Sequence, residues 1–140
     1  MLQVTEIRVR YAETDQMGVV YHANYLTWCD MGRTDLIRSL GGPTYAELER
    51  EGTALAVVEA KLRYKRPARY DDLIRITTRV TEVRSRVVRF DYVLSNEAGD
   101  SIATGYTTLV AMTPEGRGTC IPEALRQHLE RVRVEAPQDP

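Results

Sequence analysis

Between Tyr11 and Tyr25 the chain reads YAETDQMGVVYHANY, gathering Glu13, Asp15 and His22 among three tyrosines. The segment crosses a strand end, a loop and a helix start. Asp15 falls in the loop, and the helix is expected to begin near Tyr21 to Ala23. The first turn of a helix carries N–H groups without partners and about half a positive charge. Such an end stabilises a carboxylate, and it equally holds the oxygen of a polarised thioester or ester carbonyl as negative charge develops. A carboxylate beside a helix start therefore suits acyl transfer. The alternative for Asp15 is a turn or capping residue. Gly18 and the Val19-Val20 pair hold it too far ahead of the helix for a simple cap, which weakens that alternative without removing it.

The neighbours also carry two readings each. The His22 side chain could orient water or protonate a leaving thiolate, or it could be structural. Glu13 could act electrostatically on Asp15 if both share a face; otherwise it is a solvated or ion-paired strand residue. Tyr11, Tyr21 and Tyr25 read as packing groups.

The elements that must position these residues follow from periodicity. Val4 to Tyr11 alternates, with Thr5, Ile7, Val9 and Tyr11 on one face, as a half-buried strand does. Tyr25, Trp28, Cys29, Gly32, Leu36 and Leu40 recur every three or four residues on one helical stripe, while Asp30, Arg33, Asp35 and Arg38 fall mostly on other faces. Gly41-Gly42-Pro43 stops that helix. Thr44 to Glu47 has capping-box spacing for a short second helix ending at Gly52. Strands are expected over Leu55–Lys65, Asp72–Val83, Val87–Leu94 and Ile102–Met112, with a hairpin loop at Asn96–Asp100. A last helix opens at Ile121-Pro122-Glu123 with Leu125 and Leu129 inward, and the tail after Val134 is expected to fray. Consecutive strands on short loops pair antiparallel, so the class is α+β. The long helix has no partner helix of its size and is expected to lie against the sheet. Gly32 in its stripe costs about 1 kcal/mol in helix propensity but permits close approach.

Composition narrows the function classes. The 140 residues fit one domain (1–140, core about 5–130), at 43% hydrophobic and 28% charged. A net charge of -1 gives no global field for nucleic acid or an acidic membrane. No apolar run approaches the ~20 residues of a membrane span, and the first residues lack a signal-peptide pattern. Cys29 and Cys120 with His22 and His128 show no metal-ligand spacing. The expectation is a reduced cytoplasmic protein. The sequence has no G-x-S-x-G elbow and no phosphate-cradling glycine motif.

Asp15-Gln16-Met17-Gly18-Val19-Val20-Tyr21-His22-Ala23-Asn24-Tyr25, preceded by Arg10-Tyr11 and Glu13-Thr14, resembles the signature of the hotdog-fold thioesterases of the 4-hydroxybenzoyl-CoA thioesterase and YbgC type. The likeness continues through Tyr64, Pro67 and Asp72, through Thr81-Glu82-Val83-Arg84, and into the last strand. It implies an antiparallel five-stranded sheet wrapped around one long helix. It implies hydrolysis of acyl-CoA to free acid and CoA, with Asp15 as nucleophile or general base and the His22 backbone N–H aimed at the thioester carbonyl. Gly18 and Tyr25 would then border the substrate, Leu55-Ala56-Val57 would line the pantetheine and acyl channel, and the Arg84-Ser85-Arg86 turn would touch the nucleotide. Neither metal nor redox cofactor is implied, coenzyme A entering only as part of the substrate. The family pairs through a strand edge into a homodimer, often doubled to a homotetramer, with the site between subunits. Two alternatives stay open: hydrolysis of acyl-ACP, and a non-catalytic acyl-CoA binder or scaffold, against which the intact Asp15 counts.

A second cluster is basic: Lys61, Arg63, Lys65, Arg66 and Arg69, joined by Arg84, Arg86 and Arg89. Such groups would hold the phosphates of coenzyme A, or they are a solvated strand edge that deters aggregation. No nucleic-acid motif accompanies them.

Overall fold

Strand β1 (Gln3–Arg8) buries Thr5 and turns Val4, Glu6 and Arg8 outward, as its alternation requires. The computed structural model, which describes residues 2–137, continues through a 3₁₀ turn (Tyr11–Glu13), helix α1 (Asn24–Ser39), helix α2 (Tyr45–Arg50), strands β2 (Ala54–Tyr64), β3 (Leu73–Val83), β4 (Val87–Ser95) and β5 (Ser101–Met112), and helix α3 (Glu123–Val132). All pairings are antiparallel in the order β1-β3-β4-β5-β2, so β1 and β2 form the edges of one five-stranded sheet. This is the expected α+β arrangement, with α1 laid across the sheet.

The apolar stripe drives that packing. Tyr25, Trp28, Cys29, Gly32, Leu36 and also Ile37 are buried against Ile74, Ile76, Val80, Val88, Phe90 and Leu94 of the sheet. Burial pushes the Cys29 thiol up to about 12, whereas Cys120 is exposed, and both are free. At Gly32 a Cβ would stand 2.9 Å from Ile76 Cγ2 and closer still to Thr78 Oγ1. We expect Gly32→Ala to destabilise the fold: relief of about 1 kcal/mol in helix propensity is outweighed by about 1–3 kcal/mol of overpacking. A thermal melt showing an unchanged or higher Tm would contradict that close packing.

Three details differ from the sequence reading. First, β1 stops at Arg8, because the Arg10 N–H donates to Glu13 Oε1 (2.8 Å) and the Glu13 N–H to the Arg10 carbonyl (3.0 Å). These bonds roll the chain into the 3₁₀ turn and leave Tyr11 77% exposed instead of sharing the buried face. Second, Arg33 is buried rather than solvent-facing. Its guanidinium donates to the Tyr45 hydroxyl (2.7 Å) and the Tyr92 hydroxyl (3.3 Å) and pairs with Asp30 (2.7 Å). Those acceptors make burial of a charge tolerable. Third, β2 carries a bulge between Val57 and Glu59, which explains its imperfect alternation.

Helix α3 buries Leu125 and Leu129 as expected, and beyond it the Val134 N–H donates to the Val80 carbonyl (2.9 Å). The part of the expected frayed tail at 138–140 lies outside the described residues. Among the described residues no helix is long and apolar enough to cross a membrane.

Candidate active site

Asp15 is held by a tight reversal of the chain. Thr14 bridges Val20, the Asp15 N–H donates to the Val19 carbonyl (2.9 Å), and the Gly18 N–H returns to the Asp15 carbonyl (3.0 Å). Gly18 makes the reversal possible with φ of 79°, a conformation that costs other residues energy. The Met17 N–H donates to Asp15 Oδ1 (2.9 Å), and Oδ2 accepts nothing from the described residues. The carboxylate is thus fixed through one oxygen and half-buried, with the other oxygen available.

The start of α1 supplies the complementary group. Tyr21 N–H donates to the Glu13 carbonyl (2.9 Å), and Asn24, Tyr25 and Leu26 donate back to Tyr21, His22 and Ala23 at 3.0, 3.3 and 3.2 Å. The N–H groups of His22 and Ala23 lie between these sets and donate to no acceptor in the described residues. No side chain of the described residues caps this helix end. An uncapped N-terminus with bare amides is a ready site for a developing oxyanion.

Beside it runs a groove of about 280 Å³ lined by Val19, Val20, His22, Tyr25, Tyr64, Lys65, Arg66 and Pro67. The Tyr64 hydroxyl donates to the His22 carbonyl (3.0 Å), tying the end of β2 to the helix start. Tyr25 packs edge-on against Tyr64 with ring centroids 5.1 Å apart, and its hydroxyl accepts the Ala68 N–H (3.3 Å). Burial raises the pKa of both hydroxyls, keeping them protonated at neutral pH. The exposed His22 ring stands between Tyr21 and Tyr64, at 4.5 and 6.3 Å. Among the described residues no group of three or more His, Cys, Asp or Glu is placed to hold a metal ion.

The fold gathers Asp15, Gly18, His22 and Tyr25 at one end of the sheet and puts the other candidates at the opposite end. Register pairs Arg8 with Leu73 at the Asp15 end, whereas Leu55, Ala56 and Val57 align with Ala111, Val110 and Leu109, next to the Arg84-Ser85-Arg86 turn. The 11 residues of β3 separate the two ends by about 35 Å. The basic cluster is dispersed as well. Lys65 and Arg66 flank the groove, Arg84 pairs with Glu82 (2.6 Å), and Arg89 pairs with Asp91 (2.9 Å) and stacks on Tyr106. Tyr64 and Glu13 are site residues that sequence reasoning missed or misplaced. The one local hint for Glu13 was its spacing from Arg10 and Asp15.

Residues 17–103 match the Thioesterase superfamily. The chain belongs to that superfamily. This thioesterase is 43% identical over 95 residues to the putative acyl-CoA thioesterase YneP of Bacillus subtilis, covering 68% of each chain. It is 36% identical over 99 residues to the acyl-CoA thioester hydrolase YbgC of Escherichia coli O6:H1, covering 66% of this chain and 73% of that one. Its fold superposes on the DHNA-CoA thioesterase of Staphylococcus aureus with a TM-score of 0.89 and 31% identity, covering 94% and 90% of the two chains. The five-stranded sheet and central helix of this thioesterase are the hotdog architecture of its relatives.

Proposed function

We propose that this thioesterase hydrolyses acyl-CoA to a free acid and CoA, with Asp15 as the catalytic carboxylate and the His22 and Ala23 amides as donors to the thioester oxygen. The observation that carries the reading is the closure of the Asp15 loop onto the uncapped start of α1. That closure places an available carboxylate oxygen and two bare N–H groups on adjoining segments. The likeness to the acyl-CoA thioester hydrolase YbgC and to the putative acyl-CoA thioesterase YneP supports the substrate class.

Two balanced routes use the same groups. As general base, Asp15 takes a proton from water while the water oxygen attacks the carbonyl carbon, and collapse breaks the C–S bond to release CoA thiolate. As nucleophile, Asp15 Oδ2 attacks directly, expels the thiolate and leaves a mixed anhydride that water then hydrolyses. In both, the amides bind the oxygen that gains charge, and a proton restores the CoA thiol. Neither route calls for a metal or redox cofactor.

The separation of the two residue groups supports a homodimer, or a tetramer built from two dimers. β2 is an edge strand, with no strand on its outer side among the described residues and with Val57 and Val58 exposed. Antiparallel pairing of two β2 strands about a two-fold axis near their middle would set Ala54 of one copy beside Tyr64 of the partner subunit. It would thereby bring the partner's Leu55, Ala56 and Val57, with its Arg84-Ser85-Arg86 turn, to the groove beside Asp15. Two free cysteines fit the proposed cytoplasmic setting.

The deciding experiment is thiol release from a panel of acyl-CoAs, aliphatic of increasing length and aryl, beside acyl-ACP. Turnover on CoA esters is expected, and the profile names the acyl class. Activity confined to acyl-ACP would overturn the CoA assignment, and binding without turnover would favour a non-catalytic role.

A further inference from the structure

Glu13 lies two residues before Asp15 and is 6% exposed. Its Oε2 accepts the indole N–H of Trp28 at 2.8 Å. Its Oε1 accepts the backbone N–H of Arg10 at 2.8 Å, with Arg10 Nε 3.4 Å away. Its backbone carbonyl accepts the Tyr21 N–H at 2.9 Å and Asn24 Nδ2 at 2.8 Å. One residue is therefore bonded to the exit of β1, to the segment entering α1, and to the second turn of α1 itself. The two halves of the chemistry hang from it on opposite sides. Asp15 follows two residues later, and the bare amides of His22 and Ala23 lie between Tyr21 and Asn24, both of which Glu13 holds.

We infer that Glu13 is a positioning residue for the hydrolysis, setting the distance between the Asp15 carboxylate and the N-terminal amides of α1. Acyl transfer is sensitive to that distance, since an ångström of misplacement costs on the order of 10²-fold in rate. An anionic side chain suits the task because both its oxygens face donors. Burial pushes the Glu13 carboxyl up, but the Arg10 amide and Trp28 indole stabilise the charged form, and its pKa lies below the ordinary value. The neutral isostere fails here: glutamine offers one acceptor oxygen and turns an NH₂ group toward a second donor. The inference rests on the proposed role of Asp15.

The test compares Glu13→Gln, Trp28→Phe and Asp15→Asn on the best acyl-CoA substrate of the panel. For Glu13→Gln, kcat is expected to fall about 10- to 100-fold while KM and the Kd for CoA stay within about threefold, the pattern of an interaction needed in the transition state. Trp28 is the only tryptophan, so its fluorescence should shift in Glu13→Gln and report the broken clasp directly. Trp28→Phe should lower kcat in the same direction, and the double variant should lose less than the product of the two. A folded Glu13→Gln enzyme with kcat within about twofold of wild type overturns the inference, as does a change confined to KM. If Asp15→Asn is inactive in that same comparison, the failure belongs to Glu13 alone; if Asp15→Asn remains active, both assignments fall. Should Glu13→Gln not fold, Trp28→Phe decides, and an unchanged kcat there overturns the inference.

Discussion

Asp15→Asn is expected to lower kcat at least ~10²-fold, a barrier increase of about 3 kcal/mol, with a circular dichroism spectrum and Tm close to wild type. The structure explains why the loss should be chemical. Met17 N–H binds Asp15 Oδ1, and an asparagine oxygen accepts the same bond, so the reversal through Gly18 survives the exchange. What changes is Oδ2, the oxygen with no partner among the described residues. It becomes an NH₂ group, which neither attacks a carbonyl carbon nor takes a proton from water. Substrate affinity should hold, because the groove beside Tyr64 and the amides of His22 and Ala23 are untouched. Steady-state kinetics on the best acyl-CoA ester measures both parameters. A kcat within about threefold of wild type would remove Asp15 from the mechanism.

Val58→Asp should convert the proposed dimer to a species of 15.9 kDa and lower turnover in step with the loss of dimer. Val58 is 58% exposed on an edge whose outer side has no strand partner among the described residues. An antiparallel two-fold pairing near the middle of β2 places each copy of residue 58 close to its own equivalent. Two aspartates there repel one another across the pairing. Because Leu55, Ala56 and Val57 stand about 25–30 Å along β2 from Tyr64 at the Asp15 end, a lone chain carries half of the proposed site. Analytical ultracentrifugation beside activity reads both effects. A fully active monomer would refute the shared site, and an intact dimer would move the interface off β2.

The architecture was legible because its determinants are local. The stripe from Tyr25 to Leu36, the glycine stop after α1 and the loop at Asn96–Asp100 each lie within a few turns of chain, and each recurs in the structure. The Asp15 loop was legible as a motif, and the geometry supplied what the motif left open: the bond from Met17 and the amides without acceptors. Arg33 was misjudged for a reason that no local pattern reveals. Its acceptor on Tyr92 lies 59 residues away, and without that contact a charged residue in an amphipathic helix reads as solvent-facing. For Glu13 the ion-paired reading holds through Arg10, but its burial went unseen, since its indole partner comes from α1, 15 residues on. The division of candidate residues between opposite ends of the sheet depends on strand order β1-β3-β4-β5-β2, and periodicity says nothing about order.

The two thiols of the chain differ in a way that makes the protein its own gauge of opening. Cys120 lies in the open and meets an alkylating reagent at once, whereas Cys29 is on the sheet-facing side of α1 with no exposure and its thiol pushed up to about 12. A reagent reaches Cys29 only when the helix lifts from the sheet. The slow phase of labelling therefore counts excursions of the native state, at working temperature and without denaturant. Run with a non-hydrolysable acyl-CoA analogue, the same slow phase shows whether occupying the groove holds the helix down.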